Sequence, residues 1–239
     1  MNRLIYADMY KTFHRDLYYM VLILLPALAI TLVLAVIRGG NAGTMTGAYD
    51  VAPQLLQYPL AVLPLLTQMT IGEEFHERTI KNTIEYGTSR NVYFSSKLIS
   101  TLILGMILLV AVYAAYFCTA YITLPQGRGV SAELMSSTFV RIGAACAIYA
   151  AAAAMSMFLL TVFNKNIMSI FVYYGAIYVT GLLLQLFHLG ELSRYLLNKQ
   201  ISALANNVLD IKTALLVAAV TFIIFAIGGI IALRKKDLA

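Results

Sequence analysis

The chain has 239 residues, 61% of them hydrophobic and only 12% charged, against about half apolar and about a quarter charged in an ordinary soluble domain. Apolar surface in that excess has to face lipid, which excludes a soluble globular enzyme and fits one transmembrane domain over residues 1–239 with no room for a second. The net charge of +6 is what inner loops of a membrane protein carry, so nucleic acid is not an expected partner. Cys118 and Cys146 both lie in apolar runs and flag no disulfide framework.

The first element is residues 1–17. Ile5, Tyr6, Met9, Tyr10, Phe13 and Leu17 share one side of a helical wheel, and Arg3, Lys11, His14 and Arg15 the other. This predicts an interfacial amphipathic helix on the inner membrane surface; a plain extension of the first span is the alternative. Ala27-Leu28-Ala29 mimics a signal cleavage site, but the apolar run continues through Ile37. A secretory apolar core is shorter, so the segment is read as a retained first span.

Six spans come next, at about 17–37, 51–72, 98–124, 139–164, 167–189 and 213–233. Each supplies the roughly 20 residues that cross about 30 Å of hydrocarbon as a helix. The expected fold is an all-α membrane protein. With both termini inside, the inner segments hold eleven of the 17 basic residues, including the cluster Arg234-Lys235-Lys236. That bias sets the orientation. No acidic or basic residue lies near the middle of a span, and Arg38 and Arg141 are placed at outer ends, where they can snorkel. Ion-driven transporters commonly use intramembrane charges, so the energy source is expected elsewhere.

Span two contains Pro53, Pro59 and Pro64 with Gln54, Gln57 and Gln68. Prolines free carbonyls one turn back and glutamines are costly toward lipid, so this helix faces protein or a pathway. The inner loop 73–97 comes after it. Glu73, Glu74 and Glu77 fill a first helical turn, and Glu77–Lys81 has the favourable i,i+4 order. Gly87 stops the helix and Thr88 or Ser89 caps the next. A short rigid charged helix is predicted, with Phe75, Ile80 and Ile84 available to pack. Span three carries Tyr113, Tyr116 and Tyr121 toward its outer end, where an interfacial aromatic belt explains them. Span four is a run of alanines, read as close helix packing. Span five carries Tyr173, Tyr174, Tyr178 and Gln185; with Gln57 and Gln68 these are candidates for a substrate pathway. In residues 190–212, Leu192, Leu196, Leu197, Ile201, Leu204 and Val208 recur at helical spacing. They predict amphipathic outer helices that either cap a pathway or cover the bundle.

There is no G-x-x-x-x-G-K-[ST], no G-x-S-x-G and no H-E-x-x-H. Glu73-Glu74-Phe75-His76-Glu77-Arg78 fits E-E-x-x-x-R, which resembles an intramembrane prenyl-protein protease. That family also needs F-x-x-x-H and H-x-x-x-N/D. Around the only later histidine, His188, stand Leu184 and Leu192, so both motifs fail. A membrane scaffold or sensor is the remaining alternative.

The layout as a whole resembles the permease of a type-2 ABC exporter. The resemblance covers essentially the full chain. It rests on the surface helix, on Glu74…Thr79-Ile80-Lys81…Ser89-Arg90…Ser96-Lys97, similar to the family's E…T-[ILM]-[KR]…S-R…K, and on the closing Leu233-Arg234-Lys235-Lys236-Asp237-Leu238. The resemblance implies that Glu73, Glu74, Phe75, Glu77, Arg78, Thr79, Ile80 and Lys81 form a coupling helix. That helix would seat in a separate ATPase subunit, present in two copies and carrying ATP and Mg, while this chain binds no cofactor and catalyses nothing itself. It also implies a second permease, a copy or a sibling, and a plasma-membrane location. At this length the chain looks most like permeases that export amphipathic peptides, such as cytolytic toxin or lantibiotic-immunity exporters. Exporters of lipid-linked glycans or drugs share the fold.

Overall fold

A computed structural model describes residues 1–38, 44–77, 79–124, 130–163, 165–206 and 211–236. Among them every regular element is helical. A short helix, α1 (Asn2–Phe13), precedes α2 (Asp16–Arg38). The second span is a composite: α3 (Met45–Val51), a 3-10 turn Ala52–Leu56, α4 (Gln57–Thr67), a π-helical turn Gln68–Gly72 and α5 (Glu73–His76). Then come α6 (Ile80–Glu85), α7 (Arg90–Thr123) and α8 (Ala132–Phe163). The fifth span is α9 (Asn166–Tyr174), a π turn Gly175–Val179 and α10 (Thr180–Leu186). Two short helices, α11 (Gly190–Ser193) and α12 (Leu197–Ala205), lead to α13 (Ile211–Lys235).

Six of these helical stretches are long and apolar enough to cross a membrane, the make-up of a multi-pass membrane protein. Several outrun the expected bounds: the second begins at Met45 rather than 51, the third at Arg90 rather than 98, and the fourth at Ala132 rather than 139. Hydrophobicity marks only the part in hydrocarbon, whereas backbone hydrogen bonding continues into the polar flanks until a cap or turn stops it.

Burial ranks the spans. The second and fourth are 67% buried over their apolar windows, against 22% for the fifth and sixth. They form the middle of the bundle. Span four is central because Ala144, Ala145 and Ala151 to Ala154 let neighbours approach closely; α13 runs along it. The first span buries one stripe, Tyr18, Val21, Leu25, Ala29 and Val33, against α7. Its remaining apolar side chains face outward, where lipid would meet them.

Tyrosines from three neighbouring helices donate to the backbone of span two, and one of them serves Pro64. Pro64 cannot donate to the Leu60 carbonyl, and the fully buried Tyr173 hydroxyl donates to that oxygen at 2.8 Å. Tyr174 donates to Ala61 at 2.7 Å, Tyr149 to Leu56 at 2.5 Å, Tyr113 to Ala52 at 3.2 Å and Tyr116 to Ala48 at 2.8 Å. Five hydroxyls thus run down one backbone that breaks from 3-10 to α to π. Tyr113 and Tyr116 are buried, so they pack on span two instead of forming an interfacial belt; Tyr121 is exposed.

Candidate functional site

The chemistry-bearing side chains gather at the end of the bundle that holds both described chain ends. On α7, Tyr93, Lys97 and Ser100 share one face through i, i+4, i+7 spacing. Lys97 is 2% exposed. Its ammonium donates to Asp8 Oδ1 of α1 at 2.5 Å and to Glu74 Oε1 of α5 at 2.6 Å. Ser100 Oγ donates to the other Asp8 oxygen at 3.1 Å, and the Tyr93 hydroxyl to the other Glu74 oxygen at 2.5 Å. One lysine therefore joins three separate elements through charge-assisted hydrogen bonds.

The adjacent Glu73 turns the other way. Its carboxylate accepts from Arg15 and lies 3.6 Å from Lys11 Nζ. The π turn Gln68–Gly72 explains why these glutamates sit where they do. A π turn adds a residue to the helical repeat, which rotates the succeeding residues by about 100° relative to an uninterrupted α-helix. That rotation sets Glu74 toward α7 and Glu73 toward α1.

Burial holds the Asp8 carboxyl above its ordinary value of 3.8. The Lys97 charge and hydrogen bond pull it down, the Glu74 charge adds to the upward push, and the Ser100 hydrogen bond lowers it again; burial wins. Removing three charges from water costs several kcal/mol per ion before pairing repays it, so such a cluster fixes geometry more than it adds stability.

Beside this cluster a second clamp closes the bundle. Ser89 caps α7 by accepting from Val92 N at 3.4 Å, after Gly87 has turned the chain at φ +91°. Arg90 donates to the carbonyls of Leu233 and Lys236 at 3.1 Å each, and also to Arg234. It thereby satisfies free acceptors at the end of α13. Arg234 returns a bond to Asn91 at 2.9 Å. Lys236 Nζ lies 4.1 Å from the centre of the Phe75 ring and donates to Thr161 O at 2.6 Å; burial lowers its pKa to about 8.

These contacts revise the expected coupling helix. Residues 73–84 are not one rod: α5 ends at His76, Glu77 and Thr79 are in turn conformation, and α6 starts at Ile80. The i,i+4 pair is accordingly Lys81–Glu85, at 4.0 Å, and not Glu77–Lys81. Residues 90–97, the end of the expected inner loop, form the first turns of α7, the helix foreseen after the cap at Thr88 or Ser89. Glu73 and Glu74 point back into the protein, Ile80 is buried, and Phe75 and Thr79 are half-buried. Arg78 lies outside the described residues. The exposed edge consists of Glu77, Lys81, Asn82, Glu85 and Tyr86, the last 91% exposed.

On α1 the face turned to the protein is polar. Its buried residues are Asp8 and Thr12, while Tyr6 and Tyr10, assigned to the apolar face, are exposed. Sequence reasoning passed over Asp8, yet a signal was present. It is an acid among bases, lying on the basic side of the wheel between Arg15 and Ile5.

The pathway candidates are not drawn together. Tyr173 and Tyr174 spend their hydroxyls on span two. Tyr178 is 40% exposed and stands 6.2 Å from the Tyr174 ring. Gln185 is exposed, Gln68 sits half-buried in the π turn, and Gln57 donates to Ser202 of α12 at 3.4 Å. The outer helix α12 buries Leu197, Ile201 and Leu204 against α8 and span two, whereas Leu192 stays exposed; Val208 lies outside the described residues. For the protease alternative, Glu74 is engaged by Lys97 and Tyr93, and His188 stands exposed at the opposite end of span five.

No protein-family model matches the chain, and no curated protein matches it in sequence.

Proposed function

We propose that this chain is the transmembrane permease subunit of an ATP-driven ABC exporter. It pairs with a second permease, a copy or a sibling, and with two copies of an ATPase that holds ATP and Mg. The substrate is hydrophobic or amphipathic, with peptides foremost. The chain sits in the plasma membrane with both termini in the cytoplasm.

The observation that carries this reading is the three-way junction at Lys97. A push on α6 from outside the bilayer would enter through its exposed edge and its buried Ile80. The Glu74–Lys97 bond would pass it to α7 and the Lys97–Asp8 bond to α1, so that helices move as rigid bodies between packed states. The separated positions of the family-like pattern also belong to one assembly: Glu74 and Lys97 bond each other, Ser89 caps α7, and Arg90 holds the end of α13.

The test is coexpression with the products of the neighbouring reading frames, among which the proposal expects an ATPase. The expected result is copurification and stimulated ATP turnover, both lost in Tyr86→Ala with Glu77→Lys. A scaffold or sensor would bind partners without stimulating turnover; that outcome, or turnover indifferent to the exposed edge, overturns the proposal.

A further inference from the structure

At the other end of the bundle lies a polar cavity of ≈ 550 Å³, within the range of about 300–1,000 Å³ typical of small-molecule sites. Three elements build it. Glu133, Ser137 and Arg141 stand at i, i+4, i+8 on α8 and so form one stripe. Asp50 and Gln54 face it from the start of span two, and Ala205 and Asn206 from the end of α12.

The charges here behave unlike those at the first end. Among the described residues, Asp50, Glu133 and Arg141 make no ion pair and no side-chain hydrogen bond. At the first end, Asp8, Glu73, Glu74 and Lys97 all have charged partners. Arg141 is half-buried in the third turn of α8, not at a helix end where it could snorkel as expected from sequence. A partly desolvated guanidinium without an acceptor is costly, and its planar fork matches a carboxylate. The carboxylates of Glu133, about two turns away on the same helix, and of Asp50, facing from span two, suit an ammonium. Leu134 and Ala205 add apolar wall for a small side chain.

We propose that this cavity binds a small zwitterion, a short peptide with free ends, its carboxylate on Arg141 and its ammonium between Asp50 and Glu133. The assignment stands whether or not the chain is an exporter permease. If it is one, the site lies on the exit side.

The test uses the full chain in phosphatidylcholine nanodiscs, with trialanine as probe and saturation-transfer NMR as readout. Trialanine is expected to bind, and N-acetyl-trialanine and trialanine amide each to bind about tenfold or more weakly, the loss expected when one charge-assisted contact goes. Arg141→Gln should abolish the preference for the free carboxylate but keep that for the free amine. Asp50→Asn with Glu133→Gln should do the reverse. The peptide comparison on the unaltered protein needs no variant to fold. Equal binding of all three peptides, no binding of trialanine, or preferences unchanged by the substitutions each overturn the proposal. So does glycerophosphoethanolamine outcompeting trialanine, which would make the occupant a lipid headgroup.

Discussion

The two ends of this bundle handle charge in opposite ways. At the end with the described chain ends, Lys97 is shut away from solvent and shared between Asp8 and Glu74, and Arg90 spends its guanidinium on the last carbonyls of α13. At the far end, Asp50, Glu133 and Arg141 line open space without partnering one another. Between them the connection is uncharged: five tyrosine hydroxyls hold the backbone of span two. A closed ionic junction suits a part that must move as one piece. An open set of charges suits a part that must receive something.

The sharpest way to break this contrast is Lys97→Met. It strands two buried carboxylates, and removing one partner of a buried ion cluster costs about 3–5 kcal/mol. A large drop in thermal midpoint in detergent is expected, together with proteolysis of the N-terminal segment as α1 loosens. The variant combining Lys97→Met, Asp8→Asn and Glu74→Gln should recover much of the loss. If the single substitution is silent, the junction is not closed as described.

Next in size is Gly229→Ala. A Cβ there would sit 2.4 Å from the buried Phe94 ring, and overpacking of this kind costs about 1–3 kcal/mol; calorimetry checks it. Tyr173→Phe comes after it, at about 1 kcal/mol, because the Leu60 carbonyl loses the donor that stands in for the missing proline N–H. Its effect should exceed that of Tyr121→Phe, whose ring is exposed.

A smaller effect concerns pH. Asp8 is raised in the folded chain, so just above pH 3.8 the folded state binds more protons than the unfolded. Its ionisation therefore works against folding, and stability from this group returns as pH falls through the raised value toward 3.8. The difference in unfolding midpoint between the natural chain and Asp8→Asn should depend on pH in that window and flatten above it. The smallest expected effect is Tyr86→Ala, within about 0.5 kcal/mol for so exposed a residue. Its proposed consequence is on ATPase partnership alone, which separates function from stability.

Much of the chain was legible in advance because lipid enforces simple rules. Long apolar runs had to be helices, Gly87 had to stop one, and Ser89 was one of two caps foreseen. The turn conformations at Glu77 and Thr79 were not legible, since the local charges favour a continuous rod. The bonds of Tyr173 and Tyr174 to span two were not legible, because their acceptors lie 113 residues away in the chain. Arg141 looked like a snorkelling end residue because α8 begins at Ala132, well before the assumed start at 139.

The sequence by itself determined six apolar helices, a basic surplus in the connections, and an acidic stretch followed by a basic one after the second. These arise from hydrophobic free energy and local hydrogen bonding, which act over a few residues. Only the tertiary structure decided that Asp8, Glu74 and Lys97 meet, and that Asp50, Glu133 and Arg141 share a cavity without pairing. Those outcomes depend on helix rotation, here including a π turn of one extra residue, and on which faces lie opposite each other across dozens of positions. Composition and spacing do not carry that information.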